Sequence, residues 1–317
     1  MRMIMMGTGP FAVPTFEALL DSTHEVLALV TRPTPPARGR RQSPVNPMRD
    51  VGKARGITIL EPASINDKAV QEQLRQFQPE LFVVCDYGQI LKAATLAVAP
   101  LGGINLHGSL LPKYRGAAPI NWALYHGERE TGVTVIHMTP ALDGGTCLLT
   151  RKTPIDKNDD AVTVERRLSR LGVEPVLEAI DLLSTWDRQS PIGQLQDQER
   201  ASKAPRLKKE DGAVNWKRRA VDICNQVRAF KPWPGTYTLL PQTKGEPLRL
   251  ILEQVSATTG ETPSAPGTVT HVDKASLHVA TGDGLLSLDR VQPAGKRPMD
   301  ISEFLRGHTV ASGHRFQ

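Results

Sequence analysis

The stretch INLHGSLLPKYRGAAP, which begins at Ile104, sets an amide and an imidazole two residues apart, at Asn105 and His107. If it begins as a strand, alternation places these two side chains on one face and Ile104 and Leu106 on the other. A carboxylate, Asp143, follows the strand-like run GVTVIHM and is flanked by glycines. Because ligands of open α/β sheets bind beyond the carboxyl ends of strands, we expect Asp143 to arrive at the same edge, one crossover away.

An amide, an imidazole and a carboxylate together suit acyl transfer to an amine, which needs no nucleophile from the enzyme. Asn105 can donate a hydrogen bond to a developing oxyanion, His107 can exchange protons near neutral pH, and Asp143 can hold the imidazole in its working form. A metal site would need more His or Cys. The alternative is a polar strand end hydrogen bonded to loop backbone, and the three residue types in combination favour catalysis over it.

The surrounding elements predict an α/β domain. The apolar runs MRMIMM, EVLALVT, ITILEP, LFVVCDYG, GGINLHG and GVTVIHM alternate with helical patterns, which is typical of βαβ units and a parallel sheet. Continuous apolar runs such as LFVVC are typical of strands that are covered on both faces. A helix predicted from about Thr163 to Trp186 closes this domain, which we place at residues 1–187.

Residues 188–208 are polar, contain two prolines, and are predicted to be a linker. Beyond them, residues 209–317 begin with a helical pattern and continue as short runs such as LRLILEQV, GTVTHV, SLHVAT and LLSLDRV, separated by Gly, Pro and Asp. This spacing predicts a small antiparallel barrel.

The N-terminal GTGPFA matches the dinucleotide pattern G-x-G-x-x-A directly after a strand. Pro10 removes a backbone donor where the helix start would bind phosphate, and no acidic residue follows the second strand to hold a ribose. The sequence therefore favours a tight strand-to-helix turn over a nicotinamide site.

Composition indicates an ordinary soluble globular protein, with 39% hydrophobic and 23% charged residues and no apolar run that approaches a membrane helix. Its cysteines, Cys85, Cys147 and Cys224, are odd in number and widely spaced, which argues against a disulfide framework or a structural zinc site. We therefore expect a cytoplasmic protein, and nothing in the sequence demands more than a monomer.

Positive charge is concentrated in two segments. The net charge of the chain is +6. Residues 32–55 carry seven basic residues and one acidic residue, and residues 203–219 carry seven basic and two acidic residues. On charge alone, two solvated surfaces and a polyanion-binding footprint explain this pattern equally well.

The motif INLHGSLLPKYRGAAPINWAL, followed by ETGVTVIHMTPALDGG, resembles the formyltransferase signature: an Asn-x-His pair, a Ser-Leu-Leu-Pro loop and an Asp before glycines. VVCDYGQIL, VRAFKPWPGTYT and VATGDGLLSLDRVQPAGKRPM extend the resemblance over both predicted domains, to the formyltransferases that act on methionyl-tRNA. The resemblance implies a Rossmann-like amino-terminal domain joined to an OB-like barrel. It also implies transfer of a formyl group from 10-formyltetrahydrofolate to the α-amine of methionyl initiator tRNA.

Carried over by position, Asn105, His107 and Asp143 are the catalytic residues that the resemblance implies, with no metal. The implied folate-binding residues are Ser109, Leu110, Leu111 and Pro112, with the loop Gln89, Ile90 and Leu91 as a pterin wall. The implied tRNA-binding residues are Arg38, Arg40 and Arg41, in the loop RPTPPARGRRQSPVN, together with Lys208 and Lys209. This loop is shorter than the usual version, and Asp86 stands where an alanine is common.

Three rival functions remain open at this point. The first is formyl transfer to another amine, on glycinamide ribonucleotide or a nucleotide sugar. The second is a formyl-folate hydrolase, in which water replaces the amine, and the third is a non-catalytic RNA-binding module. The second domain and the basic segments favour tRNA over the first two, and the complete Asn-His-Asp set argues against the third.

Overall fold

A computed structural model describes residues 1–34, 45–242, 245–258 and 263–317. The strands are β1 Arg2–Gly7, β2 Glu25–Val30, β3 Ile59–Leu60, β4 Leu81–Cys85, β5 Gly103–His107, β6 Arg115–Gly116, β7 Glu130–His137, β8 Thr146–Pro154, β9 Lys203–Ala204, β10 Thr236–Leu240, β11 Leu248–Thr258, β12 Val269–Val272, β13 Leu277–Ala280, β14 Leu285–Pro293 and β15 Met299–Asp300. The helices are α1 Val13–Leu20, α2 Pro47–Ala54, α3 Lys68–Gln76, α4 Ala93–Leu96, α5 Pro119–Tyr125, α6 Ala161–Leu171, α7 Val173–Ser184, α8 Ala220–Ala229 and α9 Ile301–Gly307. Within these ranges no helix is both long and apolar enough to cross a bilayer.

The chain divides by its contacts into two units. Unit 1 comprises Met1–Pro119, Glu130–Pro154 and Thr163–Pro205, and unit 2 comprises Ile120–Arg129, Ile155–Val162 and Arg206–Gln317.

The sheet of unit 1 has seven strands in the order β3-β2-β1-β4-β5-β7-β8. The first five are parallel, as the alternation of apolar runs and helices predicts, and every residue of β4 is buried. Strand β7 runs antiparallel to β5, and β8 runs antiparallel to β7. A return over the eight residues between β7 and β8 permits only antiparallel pairing, and such edge strands are common on parallel sheets. Sequence reasoning did not anticipate β8, whose residues are half-buried or exposed.

The glycine turn after β1 leads into a short 3₁₀ helix, Pro10–Ala12, and then into α1. A Cβ added to Gly9 would lie 1.8 Å from Oδ2 of Asp86. An acidic side chain therefore lies directly against this turn, where a dinucleotide would place its own negative pyrophosphate. This arrangement supports the tight-turn interpretation of GTGPFA.

Asp86 itself carries a testable consequence for stability. The side chain keeps some solvent exposure, but desolvation by the surrounding protein raises the pKa of Asp86, and the negative charge of Glu165 raises it further, to about 6. The positive charge of Arg32 partly offsets this rise. The folded protein therefore holds an extra proton between about pH 4 and pH 6, so stability is highest below this window and falls as the pH rises through it.

Asp86→Asn is therefore expected to stabilise the protein by about 1 kcal/mol at pH 7.5, a figure reduced for solvent screening, and by much less at pH 4.5. Urea unfolding at both pH values measures the difference, with Glu17→Gln, an exposed carboxylate change in α1, as the control. An equal increase in the free energy of unfolding at both pH values would contradict the raised pKa of Asp86.

The segment predicted as a linker differs from a free connection. Gln194 exchanges two main-chain hydrogen bonds of 2.8 Å with Cys147, and β9 pairs with β6. Residues up to Pro205 consequently belong to unit 1. These pairings involve only one or two residues each, which is too short a run to leave a periodic signal in the sequence.

Unit 2 also takes two pieces from inside the predicted first domain, residues 120–129 and 155–162. The rings of Trp122 and Tyr125 lie 6.0 and 5.3 Å from that of Phe230, and the Arg218 guanidinium lies 4.2 Å from the Tyr125 ring. A domain boundary at residue 187 would therefore assign these contacting side chains to two different domains.

The antiparallel sheet of unit 2 runs in the order β10-β11-β14-β13-β12, with β15 on β14. Its core includes Ile223, Leu252, Leu288 and Phe304. The main chain of residues 313–317 bonds to both edge strands, at Val269 in β12 and at Leu239 in β10. This segment therefore contacts both edges of the sheet, whose strand order is open, and a closed barrel stays a prediction.

Candidate active site

Strand β5 presents its side chains as the alternation predicts. Ile104 and Leu106 are buried, at 0% and 3% exposure. On the other face Asn105 is half-buried and His107 is 5% exposed. The amide and the imidazole are thus held on one side of a central strand, with little solvent around the imidazole.

Asp143 reaches this pair by a route that differs from the expected one. It does not lie at the carboxyl end of a parallel neighbour. It lies in the loop that turns back from the antiparallel β7 to β8, with a φ of 48°. A non-glycine residue in this left-handed region costs on the order of 1 kcal/mol, so surrounding contacts must hold it. A Cβ on Gly145 would lie 1.8 Å from the His137 carbonyl oxygen, which is why the loop needs glycine there.

The Asp143 carboxylate is the centre of the cluster. Its Oδ2 accepts a hydrogen bond of 2.8 Å from the Gly116 N–H, and its Oδ1 lies 3.5 Å from the Asn105 amide nitrogen. The same Oδ2 lies 3.7 Å from Nδ1 of His107. The structure therefore brings together all three residues that the sequence predicts to be catalytic.

The contacts of His107 show which nitrogen of the neutral imidazole carries the hydrogen. Nε2 lies 2.9 Å from the Tyr114 carbonyl oxygen, which can only accept, so Nε2 carries a hydrogen. In the neutral ring Nδ1 then holds a lone pair, and it faces Asp143 at a distance longer than a hydrogen bond. The Tyr114 carbonyl, rather than Asp143, orients the neutral imidazole. Asp143 is placed to pair with the ring once Nδ1 gains a proton.

The Ser-Leu-Leu-Pro loop is fixed from within. The buried Ser109 hydroxyl donates to the Lys113 carbonyl over 2.7 Å. Thr134 of β7 donates to the Ser109 carbonyl and accepts from the Leu111 N–H. Ser109 therefore shapes the loop through its hydroxyl, and the half-buried members that retain surface for a ligand are Leu110, Leu111 and Pro112.

In the predicted pterin wall the three residues have different environments. The Gln89 side chain bonds to the backbone of Ile65 and Pro62, and Leu91 is buried in the core. Ile90 is 60% exposed, and it is the member of the loop whose side chain is open to a ligand.

The predicted tRNA-binding residues are only partly described. Arg38, Arg40 and Arg41 lie outside the described residues. Lys208 and Lys209 are exposed at the start of a 3₁₀ helix, where the Lys208 N–H donates to Asp211 over 2.6 Å.

The site also contains three residues that the sequence analysis did not identify. Tyr114 and Gly116 act through main-chain atoms, which the side-chain pattern cannot reveal. The side chain of Gln196, in the predicted linker, donates to the carbonyl oxygens of Asp143 and Gly145. Among the described residues no group of three or more His, Cys, Asp or Glu is arranged to hold a metal ion.

The chain as a whole is similar to known proteins. The model of the family described as "Formyl transferase" matches residues 1–180, and that of "Formyl transferase, C-terminal domain" matches residues 206–309. A methionyl-tRNA formyltransferase of Rhodopirellula baltica is 45% identical over 99% of this chain and 96% of its own length. The chain belongs to the methionyl-tRNA formyltransferase family. A second member, from Trichlorobacter lovleyi, is 42% identical over 98% of this chain and 96% of its own length.

Solved structures extend the comparison beyond the methionyl-tRNA formyltransferase family. WlaRD, a sugar 3N-formyl transferase, matches 94% of this chain and 99% of its own with a TM-score of 0.64 and 17% identity. HypX from Aquifex aeolicus in complex with tetrahydrofolic acid matches 99% of this chain and 50% of its own with a TM-score of 0.62 and 16% identity. At these identities the likeness concerns the fold alone, and it confirms the predicted class, a Rossmann-like domain followed by a smaller β domain.

Proposed function

We propose that this protein transfers the formyl group of 10-formyltetrahydrofolate to the free amino group of methionyl initiator tRNA. The observation that carries the proposal is the cluster at Asp143, whose carboxylate lies 3.5 Å from the Asn105 amide nitrogen and 3.7 Å from Nδ1 of His107. The full-length relatives named methionyl-tRNA formyltransferase support tRNA as the acceptor.

The amine needs a base before it attacks. An α-amino group has a pKa of about 7.7–8.0, so much of it is protonated at neutral pH. His107 offers the lone pair of Nδ1, because Nε2–H is already held by Tyr114. A proton taken up at Nδ1 creates a cation facing the Asp143 carboxylate, and this pairing stabilises the protonated ring.

Negative charge develops on the formyl oxygen as the amine attacks. The Asn105 amide nitrogen carries two hydrogens, and its contact with Asp143 uses one of them. The second hydrogen can donate to that oxygen, while the protonated imidazole, whose two N–H groups face Tyr114 and Asp143, contributes its positive charge nearby.

When bound, the folate would supply an electrophilic formyl carbon. Its formyl C–N bond would break once the amine has added, and the proton taken up by His107 would pass to the departing folate nitrogen. The residues present suit such a ligand, because Ile90 and the half-buried Leu110, Leu111 and Pro112 offer apolar surface to a flat ring. Gln89 and Ser109 hold the two loops in shape through their backbone contacts.

One assay tests the reaction against its rivals. The protein is incubated with labelled 10-formyltetrahydrofolate and charged initiator tRNA, and we expect label on the methionine. Label released as formate would indicate a hydrolase, and label on glycinamide ribonucleotide or an amino sugar, with none on tRNA, would indicate another acceptor. RNA binding without any turnover would indicate a binding module.

We also propose that Arg38, Arg40, Arg41, Lys208 and Lys209 bind the tRNA phosphates. Replacing the three arginines by Ala is expected to raise KM for tRNA about tenfold or more, with kcat little changed. It should also reduce the slope of log affinity against log salt by about 2–3, since each phosphate contact contributes about 0.7–0.9.

Steady-state kinetics and filter binding at several salt concentrations measure both effects. A triple Ala variant of Lys68, Arg75 and Lys92, all exposed in unit 1, removes the same charge elsewhere and serves as the control. An unchanged salt slope in the arginine variant would count against the loop.

The proposal includes a cytoplasmic monomer. Three free cysteines, Cys85, Cys147 and Cys224, fit a reducing compartment. Light scattering on the purified protein tests the monomer, and a mass twice that of the 34.7 kDa chain would contradict it.

A further inference from the structure

Gln196 uses both hydrogens of its side-chain amide on the loop that carries Asp143. Nε2 donates to the Asp143 carbonyl oxygen and to the Gly145 carbonyl oxygen, each over 2.7 Å. Gln196 is 8% exposed and comes from the segment that the sequence predicts to be a linker. A single side chain therefore ties down the main chain of residues 143–145 on both sides of Gly144.

The other end of the amide is fixed by Arg115. Oε1 of Gln196 accepts from Nε and Nη2 of Arg115 over 3.0 and 2.7 Å. A guanidinium can only donate and a carbonyl can only accept, so these partners allow one orientation of the amide. Every hydrogen-bonding atom of the Gln196 side chain is engaged between Arg115 and the Asp143 loop.

Arg115 lies in the middle of a short run, residues 114–116, whose main chain contacts the side chains of His107 and Asp143. The preceding residue, Tyr114, accepts from His107, and the following residue, Gly116, donates to the Asp143 carboxylate. The strip 114–116 thus fixes His107 directly, the Asp143 carboxylate directly, and the Asp143 main chain through Gln196.

We propose that Gln196 is a positioning residue for the formyl-transfer step, with Arg115 fixing its amide. The carboxylate of Asp143 is attached to a backbone in the left-handed region, and short side chains follow their backbone closely. By bonding to the carbonyls on both sides of Gly144, Gln196 keeps the carboxylate against Asn105 and His107. This role rests on the proposed function, since it acts on the same reaction.

Gln196→Glu tests the role with little change in shape. The glutamate can still accept from Arg115, but an oxygen replaces the donor that faces two carbonyl oxygens. A misplacement of a catalytic group by about 1 Å typically costs on the order of a hundredfold in rate. We expect kcat to fall about 10–100-fold, with KM for folate and for tRNA within about twofold of the wild-type values.

Gln198→Glu is the matched control. The exposed Gln198 accepts from Nη1 of the same Arg115 over 2.9 Å and donates to the Gln196 carbonyl, but it has no hydrogen bond to residues 143–145. We expect wild-type kcat and KM for this variant. If Gln196→Glu fails to fold, as judged by circular dichroism, Gln196→Met removes the same donors without adding charge and carries the same expectation.

A double-mutant cycle separates positioning from general stabilisation. If Gln196 acts through Asp143, the Gln196 change adds little to the loss already caused by Asp143→Ala, because residues that act as a unit are not additive. Fully additive losses, a rise in KM alone, or an unchanged kcat in a folded Gln196 variant would each overturn the assignment. Failure of the proposed function is distinct, since the wild-type protein would then not formylate methionyl-tRNA.

Discussion

Replacing Asn105 by Ala is expected to lower kcat for formyl transfer by about 10²–10³, which is the typical cost of removing one oxyanion donor. The amide lies on the polar face of β5, and its nitrogen already points to Oδ1 of Asp143. Its second hydrogen is therefore held in a fixed direction before substrate arrives. KM for both substrates should change little, because the interaction strengthens only as charge develops on the formyl oxygen.

Single-turnover and steady-state rates with charged initiator tRNA measure this effect. The aspartate side chain of Asn105→Asp has nearly the same size as asparagine, but it accepts where the amide donates. The kcat of this variant should therefore fall at least as much as that of Asn105→Ala. Asn225→Ala, which removes an amide in unit 2 that accepts from Arg228, is the control and should keep the wild-type kcat. If Asn105→Ala retains kcat within about threefold, the oxyanion role is wrong.

The cluster of Asn105, His107 and Asp143 was predictable where side chains alone carry the information. A two-residue period places Asn105 and His107 together on any strand whose other face holds Ile104 and Leu106, and in β5 both polar side chains lie near Asp143. The parallel part of the sheet was predictable for the same kind of reason, because strands covered on both faces have continuous apolar runs such as that of β4.

The route by which Asp143 arrives was not predictable from those patterns. Strand direction depends on how the connection folds back, and the antiparallel β7 and β8 place the Asp143 loop differently from a parallel crossover. The expected contact is nevertheless present, because the loop turns back toward β5 and Gly145 allows its close approach to the His137 carbonyl.

The main-chain partners of His107 and Asp143 could not be identified from the sequence. Tyr114 and Gly116 serve the site through a carbonyl oxygen and an N–H, which every residue type other than proline provides. Gln196 lies in a polar stretch without periodicity, so its burial becomes evident only once Gln194 and β9 are seen to pair with unit 1. The residues that position the cluster are therefore harder to find than the residues that form it.

Replacing Asp143 by Asn is expected to lower kcat by about 10²–10⁴, the typical cost of losing a carboxylate that pairs with a catalytic imidazole. The carboxylate faces donors on both of its oxygens: the Gly116 N–H at Oδ2 and the Asn105 amide nitrogen at Oδ1. An asparagine has one oxygen and one NH₂, so whichever way it turns, one of these donors meets another donor. The charge that stabilises a proton on Nδ1 of His107 is lost in either orientation.

Asp181→Asn removes a carboxylate that is 76% exposed and serves as the control, with wild-type kcat expected. A kcat within tenfold of the wild-type value for Asp143→Asn would contradict the pairing of Asp143 with His107. Because Asn105 and Asp143 contact each other, combining Asn105→Ala with Asp143→Asn should cost less than the product of the two separate losses. Such non-additivity would show that amide, carboxylate and imidazole act as one unit, as their shared contacts at Asp143 require.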